Sequence, residues 1–188
     1  MNIKNKNIKE LEVIAQEIRD RIIEVVSVNG GHLSSTLGAV ELTLGMHKVF
    51  ENEHDPFIFD VSHQCYPHKL ITGRWEGFKT LRQFGGMSGF TKPKESKSDY
   101  FVAGHSSTSI SLAVGAAKAA KLEQNGKIPV VMIGDGSMTA GMIYEALNEL
   151  GDLKLSVVII LNDNEMSIAR PIGALSKYLS KLLAGKFY

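Results

Sequence analysis

Two short polar segments in the last third of the chain could bind a metal ion and a diphosphate. Residues 134–137 read Gly-Asp-Gly-Ser after an apolar run, and residues 162–164 read Asn-Asp-Asn after the next apolar run. The Asp135 carboxylate and the Asn164 amide carry hard oxygen donors, and Mg²⁺ typically takes one or two carboxylates together with phosphate oxygens. Glycines near a helix start let a phosphate approach backbone N–H groups. The pair therefore predicts a site for Mg²⁺ and a diphosphate.

A plainer interpretation is that Gly-Asp-Gly forms only a turn whose aspartate caps a helix. Three other ligand-binding or catalytic motifs are excluded because this sequence lacks residues that they require. A dinucleotide-binding fingerprint needs glycine where Thr139 stands, and the Gly-Lys-Ser/Thr of a Walker loop is absent. An esterase elbow needs glycine where Thr108 stands. At this point a metal and phosphate site and a simple turn both remain open.

The spacing of apolar residues predicts the elements that must position these segments. Three continuous apolar runs are typical of buried strands: residues 57–61, 128–133 and 157–161. Four segments with helical periodicity predict helices, the second begun by Ser34-Ser35-Thr36: residues 7–28, 37–50, 106–122 and 138–150. Shorter helical pieces are expected near 66–72 and 76–84, with exposed loops at 85–89 and 92–99. Strands apolar on both faces that alternate with helices predict an α/β fold, a mainly parallel sheet covered by helices on both faces.

Composition places this sheet in one ordinary soluble domain. The 188 residues are 44% hydrophobic, and 21 basic against 20 acidic residues leave a net charge of +1. This balance provides no electrostatic case for binding nucleic acid or an anionic membrane. The apolar runs are far too short to span a bilayer. A single cysteine, Cys65, cannot form an internal disulfide, which predicts a reducing cytoplasm.

Five ordered motifs resemble the 1-deoxy-D-xylulose-5-phosphate synthase family of transketolase-like thiamine diphosphate enzymes. The motifs are Gly-Gly-His-Leu-Ser-Ser at 30–35, Asp-Val-Ser-His-Gln-Cys-Tyr-Pro-His-Lys at 60–69, Gly-His-Ser-Ser-Thr-Ser at 104–109, Gly-Asp-Gly-Ser-Met-Thr-Ala-Gly-Met at 134–142 and Asn-Asp-Asn-Glu-Met-Ser-Ile at 162–168. The last two resemble the cofactor and Mg²⁺ motif of the wider transketolase-like group. The resemblance implies the thiamine diphosphate-binding fold, here the N-terminal part of its diphosphate-binding domain.

The resemblance also implies roles for individual residues. Mg²⁺ would be bound by the Asp135 carboxylate, the Asn164 side-chain oxygen and the Met166 backbone carbonyl. Thiamine diphosphate would contact residues on four segments: His63, Gly104, His105, Ser106, Gly136, Ser137 and Asn164. Two histidines would be catalytic, with His63 facing the cofactor and His32 facing the substrate.

The implied reaction condenses pyruvate with D-glyceraldehyde 3-phosphate to 1-deoxy-D-xylulose 5-phosphate with loss of CO₂. Its product would serve isoprenoid, thiamine and pyridoxal synthesis in a cytoplasmic homodimer. Family members have three domains, and the glutamate that activates the cofactor lies in the second, so residues 1–188 alone are expected to be an inactive fragment. Alternatives are the N-terminal subunit of a split transketolase and a non-catalytic binding module on the same fold.

Two positions depart from the family pattern, and several side chains have plainer interpretations. Ser62 stands where the family usually has glycine, and Cys65 where it has a small residue. His47 and His54 are interpreted as surface or packing residues and Lys69 as structural. A soft-metal site at His63, Cys65 and His68 is a weak alternative, because the spacing matches no zinc pattern well.

Overall fold

The computed structural model describes Met1 and residues 3–163, which form an open parallel sheet and its helices. The α-helices are α1 (Ile8–Asn29), α2 (Leu33–Leu37), α3 (Val40–Val49), α4 (Tyr66–Ile71), α5 (Ser109–Glu123) and α6 (Gly141–Asp152). The strands are β1 (Phe57–Phe59), β2 (Val130–Gly134) and β3 (Val158–Asn162). Two 3-10 helices cover Gly77–Thr80 and Asp135–Thr139.

All three described strands are parallel and lie in the order β1-β2-β3. Phe57 pairs with Val130, and Val130 pairs with Val158 on its other side. At the carboxyl end of the sheet, Gly134 of β2 pairs with Asn162 of β3. The predicted parallel α/β sheet is confirmed, and this register places the segments that follow β2 and β3 beside each other.

Helices cover both faces of the sheet, as the continuous apolar strands predict. Because side chains alternate along a strand, Phe57, Phe59 and Met132 pack with α1, α3 and α4 on one face. Ile58 and Val131 pack with α5 and α6 on the other. Two apolar layers therefore hold the sheet between them.

The longest helix, α1, begins with two reciprocal hydrogen bonds. The Asn7 side chain accepts from the Glu10 backbone N–H, and the Glu10 carboxylate accepts from the Asn7 N–H. This capping box satisfies two backbone donors that the first turn would leave unpaired. The helix ends at Gly30, whose φ of +74° a residue with a side chain rarely adopts. The prediction of a helix over 7–28 is confirmed.

Three predicted helices have other bounds in the structure. The helix predicted over 106–122 is α5, which begins at Ser109. The segment predicted as one helix over 37–50 forms α2 and α3, and the hydroxyl cluster lies inside α2 rather than before it. Thr36 in α2 is buried, and its hydroxyl donates to the His63 carbonyl at 2.9 Å. The helix predicted from residue 138 begins at Gly141, because the extended Ala140 separates α6 from the preceding 3-10 helix.

The segment 92–99, predicted to be an exposed loop, is anchored by buried ion pairs. Asp99 is buried, and its two oxygens accept from the Arg74 guanidinium at 2.8 Å each. Lys69, also fully buried, donates to Glu95 at 2.6 Å. The imidazole of His68 lies 3.1 Å from Asp99. Lys69 therefore has the predicted structural role, and the loop is fixed by charges that the sequence pattern does not reveal.

His47 extends this buried cluster. Its Nε2 lies 2.8 Å from His68 Nδ1, and the two rings stack with centroids 5.0 Å apart. Burial lowers the pKa of His47 to about 2. Burial also lowers the pKa of His68, although the Asp99 carboxylate acts in the opposite direction. Both imidazoles are therefore neutral in the folded chain near pH 7.

None of the helices within residues 1 and 3–163 is long and apolar enough to span a membrane.

The two buried histidines make stability depend on pH. An unfolded histidine protonates below about pH 6.5, whereas the folded chain keeps these two neutral, so the unfolded state binds more protons below that pH. The free energy of unfolding should fall between pH 7 and 5 by up to about 1.4 kcal/mol per pH unit from His47, and His68 should contribute a change of the same sign. Urea unfolding at several pH values measures this slope.

His47→Gln should reduce that slope, whereas His105→Gln, which changes an exposed imidazole outside the cluster, should leave it in place. A stability that is flat between pH 7 and 5 in the unmodified chain would contradict the neutral assignment of both buried rings.

Candidate functional site

Four polar segments meet at the carboxyl edge of the sheet, the edge where ligands bind in open parallel folds. Residues 60–63 follow β1, and the 3-10 helix Asp135–Thr139 follows β2 directly. Asp163 follows β3 beside it, because Gly134 pairs with Asn162. Residues 104–108 lead into α5.

Asp60 ties the end of β1 to the start of α5. Its carboxylate is 2% exposed; one oxygen accepts from the Ser107 N–H at 2.9 Å and the other from the Ser109 N–H at 3.3 Å. Backbone donors at a helix start have no intrahelical partners, and the helix dipole favours a negative charge there. These contacts compensate the buried charge and fix α5 against β1.

Ser107 continues the connection to the segment after β2. Its hydroxyl donates to the Ser137 carbonyl at 2.8 Å. The residues before α5, Gly104, His105 and Ser106, are exposed, and Gly136 is half-buried beside Ser137. The structure thus brings two predicted diphosphate-binding segments to one accessible edge.

A strained turn follows β1 and leads into His63. The strand predicted over 57–61 ends at Phe59, because Val61 and Ser62 have φ values of +56° and +71°. Such conformations cost about 1–3 kcal/mol for residues with side chains. The Ser62 hydroxyl accepts from the Thr91 N–H at 2.8 Å and lies 3.1 Å from its hydroxyl. The serine at this glycine position therefore adopts a turn that suits glycine and contributes a hydrogen bond to it.

His63 and His32 form an edge-to-face imidazole pair with ring centroids 5.7 Å apart. The Nδ1 atom of His63 is buried and has no hydrogen-bond partner among the residues described. Burial lowers the pKa of His63. Burial also lowers the pKa of His32, and the nearby His63 and Arg82 act in the same direction. The site thus holds two neutral rings that can accept or donate hydrogen bonds.

Asp135 does not cap a helix. The 3-10 helix that it begins has Gly134 at its N-cap, and neither this helix nor α6 has a side-chain capping bond. Within the described part of the chain, no hydrogen bond or ion pair engages the half-buried Asp135 carboxylate. The simple-turn interpretation therefore does not account for this aspartate, and a hard cation fits its donor chemistry.

Two predicted metal ligands, Asn164 and Met166, lie outside the described residues. Within residues 1 and 3–163, no three His, Cys, Asp or Glu side chains form a group that could hold a metal ion. The soft-metal alternative lacks its ligand set, because His68 contacts His47 and Asp99 behind the sheet. Burial raises the pKa of the Cys65 thiol to about 11, so it is not a thiolate ligand near neutral pH.

Asp60 and Ser107 are the two site residues that sequence reasoning assigned no role. A signal was present in one case, because Asp60 is a charged residue directly after a buried apolar strand. Its partners, the amides of Ser107 and Ser109, lie 47 and 49 residues away. That separation explains why the local pattern did not identify the pairing.

Comparisons with known proteins agree on one family. The family model described as 1-deoxy-D-xylulose-5-phosphate synthase matches residues 1–188. The chain is 77% identical over 188 residues to 1-deoxy-D-xylulose-5-phosphate synthase of Aliarcobacter butzleri and 73% identical to that of a Nitratiruptor species. Each alignment covers 100% of this chain and 31% of the relative. The chain therefore spans about a third of the length of these relatives.

A solved structure shares the fold. Transketolase from Leishmania mexicana superposes with a TM-score of 0.73 at 22% sequence identity, over 90% of this chain and 30% of that one. At this identity the likeness describes the backbone arrangement alone. It agrees with the transketolase-like fold that the motifs imply.

The Asp60 carboxylate should stabilise the start of α5. Asp60→Asn keeps the size of the side chain but offers one acceptor oxygen where the carboxylate offers two, so a buried backbone N–H loses its charged partner. The free energy of unfolding should fall by about 1–3 kcal/mol, and the Ser107 and Ser109 amides should exchange faster with deuterium. Asp152→Asn, at an exposed position at the end of α6, is the matched control. Unchanged exchange at both amides would show that Asp60 does not hold this helix start.

Proposed function

This chain belongs to the 1-deoxy-D-xylulose-5-phosphate synthase family, and we propose that it supplies the diphosphate- and Mg²⁺-binding side of a thiamine diphosphate site. The complete enzyme condenses pyruvate with D-glyceraldehyde 3-phosphate to 1-deoxy-D-xylulose 5-phosphate and releases CO₂. The segments that make up the remaining length of its relatives complete the site, on the same polypeptide or on a separate subunit.

One observation carries this proposal: the Asp60–Ser107–Ser137 connection that joins three segments at the carboxyl edge. Asp60 holds the Ser107 N–H at 2.9 Å, and the Ser107 hydroxyl holds the Ser137 carbonyl at 2.8 Å. These contacts set residues 104–106 and 135–137 at one accessible edge. Backbone N–H groups at turns and helix starts bind phosphate oxygens, and two converging segments offer a diphosphate more such groups than one turn does.

The residues at this edge fit the two groups. Asp135 would bind Mg²⁺ through its otherwise unengaged carboxylate, with Asn164 and the Met166 carbonyl as the further ligands. The diphosphate would contact the segment Gly104, His105 and Ser106 and the segment Gly136 and Ser137. One carboxylate leaves the ion with positive charge to bind the diphosphate.

Thiamine diphosphate, when bound, supplies the electron sink that decarboxylation requires. The chain's own contribution is to bind and orient. His63 presents a buried, unpartnered Nδ1 that can hydrogen-bond a bound group, and we assign His63 to the cofactor. His32, next to His63, is assigned to the substrate. Because burial lowers the pKa of both rings, each is a neutral imidazole near pH 7, with one nitrogen that donates a hydrogen bond and one that can accept a hydrogen bond or a proton.

The proposal includes the setting of the enzyme. Residues 1–188 form the N-terminal part of one diphosphate-binding domain, and the enzyme is a cytoplasmic homodimer. The buried, unpaired Cys65 fits a reducing compartment.

A chimera tests the proposed activity. Residues 1–188 replace the matching 31% of the Aliarcobacter butzleri relative, and product formation from pyruvate and D-glyceraldehyde 3-phosphate is measured. The chimera should be active.

Asp135→Asn removes the charged metal ligand, so Mg²⁺-dependent binding of thiamine diphosphate, followed by calorimetry, should weaken about 100-fold, or about 2.7 kcal/mol.

Asp152→Asn is again the control, since it removes one carboxylate from an exposed position away from the carboxyl edge. A folded but inactive chimera would contradict the proposed activity. Full cofactor binding by Asp135→Asn in an active chimera would instead contradict the metal assignment alone.

A further inference from the structure

The phenol of Tyr66 reaches the candidate site from inside the protein. Tyr66 begins α4, its side chain is fully buried, and its ring packs edge-on against Phe78 at 5.6 Å. Its hydroxyl lies at the start of α2, beside His32. We propose that Tyr66 is a positioning residue that holds the His32 imidazole in the tautomer with its proton on Nε2. This assignment deepens the proposed function, because its catalytic value rests on the substrate role given to His32.

The hydrogen-bond geometry selects the tautomer. The Tyr66 oxygen accepts from the His32 backbone N–H at 3.4 Å and lies 3.5 Å from His32 Nδ1. A phenol has one proton to donate and lone pairs to accept. Among the described residues, Nδ1 of His32 is the acceptor within hydrogen-bond distance of this buried hydroxyl. A proton on Nδ1 would leave the buried O–H without an acceptor, so the hydroxyl donates its own proton to Nδ1. A neutral imidazole whose Nδ1 accepts carries its proton on Nε2.

The loop before α2 closes directly onto the phenol. A Cβ atom at Gly31 would lie 2.8 Å from the Tyr66 oxygen and 3.4 Å from Cε2 of its ring. Gly31 also has a φ of +151°, which side chains disfavour. The hydroxyl is therefore held between the backbone of residues 31 and 32 rather than in open space.

The protonation states agree with this geometry. Burial raises the pKa of Tyr66, so its phenol keeps the proton that it donates. Burial lowers the pKa of His32, and the proximity of His63 and of the Arg82 guanidinium acts in the same direction. A neutral phenol thus meets a neutral imidazole, and only one arrangement of their protons satisfies both groups.

The consequence is a direction for hydrogen bonding at the site. With Nδ1 accepting from Tyr66, Nε2–H is the nitrogen that His32 can offer to a ligand. His32 then donates a hydrogen bond through Nε2–H to a carbonyl or phosphate oxygen of the substrate. It does not present an unprotonated nitrogen to the substrate. The buried Tyr66 phenol therefore determines which nitrogen of His32 donates to a ligand.

Nuclear magnetic resonance of the full chain tests the tautomer directly. Two-bond ¹H–¹⁵N correlations distinguish a protonated from an unprotonated ring nitrogen, and His32→Gln assigns the signals. The unmodified chain should show Nε2 protonated and Nδ1 unprotonated in His32. Tyr66→Phe removes only the hydroxyl, so the two nitrogens should move toward averaged shifts. Tyr100→Phe, which removes a phenol bonded to the Glu53 carbonyl, should leave His32 unchanged.

A second variant tests the same contact in case the Tyr66→Phe protein does not fold. Gly31→Ala places a Cβ atom 2.8 Å from the Tyr66 oxygen, closer than a Cβ contact allows, and should also displace the hydroxyl and average the tautomers. A native His32 protonated on Nδ1, or a His32 tautomer unaffected by the folded variants, would overturn the proposal. Neither readout needs cofactor or substrate.

The active chimera measures the functional effect. Tyr66→Phe should lower kcat about tenfold, shift the pH profile of kcat/KM and have little further effect in a His32→Gln background, because the two residues act as one unit. Additive losses would show that Tyr66 does not act through His32. An inactive chimera with the expected tautomer would contradict the proposed function and leave the positioning role of Tyr66 intact.

Discussion

The buried carboxylate of Asp60 is the interaction on which the candidate site depends. It lies directly after β1 and is held by backbone amides at the start of α5. A charge removed from water at this position is stable only while those donors remain aligned. The requirement fixes α5 relative to the sheet, and through Ser107 it also fixes the segment after β2. One buried charge thus sets the relative positions of three polar segments.

Helix α4 connects the site to a second polar cluster behind the sheet. Successive residues of a helix are 100° apart, so Tyr66 and His68 leave this short helix in nearly opposite directions. Tyr66 contacts His32, whereas His68 contacts Asp99 and His47. The buried cluster packs against α4 through His68. By fixing the position of α4, this cluster also fixes the position of the Tyr66 phenol.

Local pattern was sufficient to predict the fold class and the edge of the sheet at which the polar segments after β2 and β3 lie. The apolar runs and helical periodicity identify α1, β2 and β3 with small boundary shifts, because each element needs one face or both faces apolar. The parallel sheet follows from alternating strands and helices. Once the strands are parallel, Gly-Asp-Gly and the pair Asn162-Asp163 must lie at the same edge, as the pairing of Gly134 with Asn162 shows.

The sequence by itself therefore determined the order of elements, the parallel sheet and the polar segments at its carboxyl edge. Only the tertiary structure decided which polar groups meet: Asp60 with the start of α5, Tyr66 with His32, and Asp99 with His68. It also decided the positive φ of Val61 and Ser62 and the break between α2 and α3. The three polar pairings join residues some 30 to 50 positions apart. Such pairings leave no periodic trace, because a buried polar group finds its partner only when packing excludes water from both.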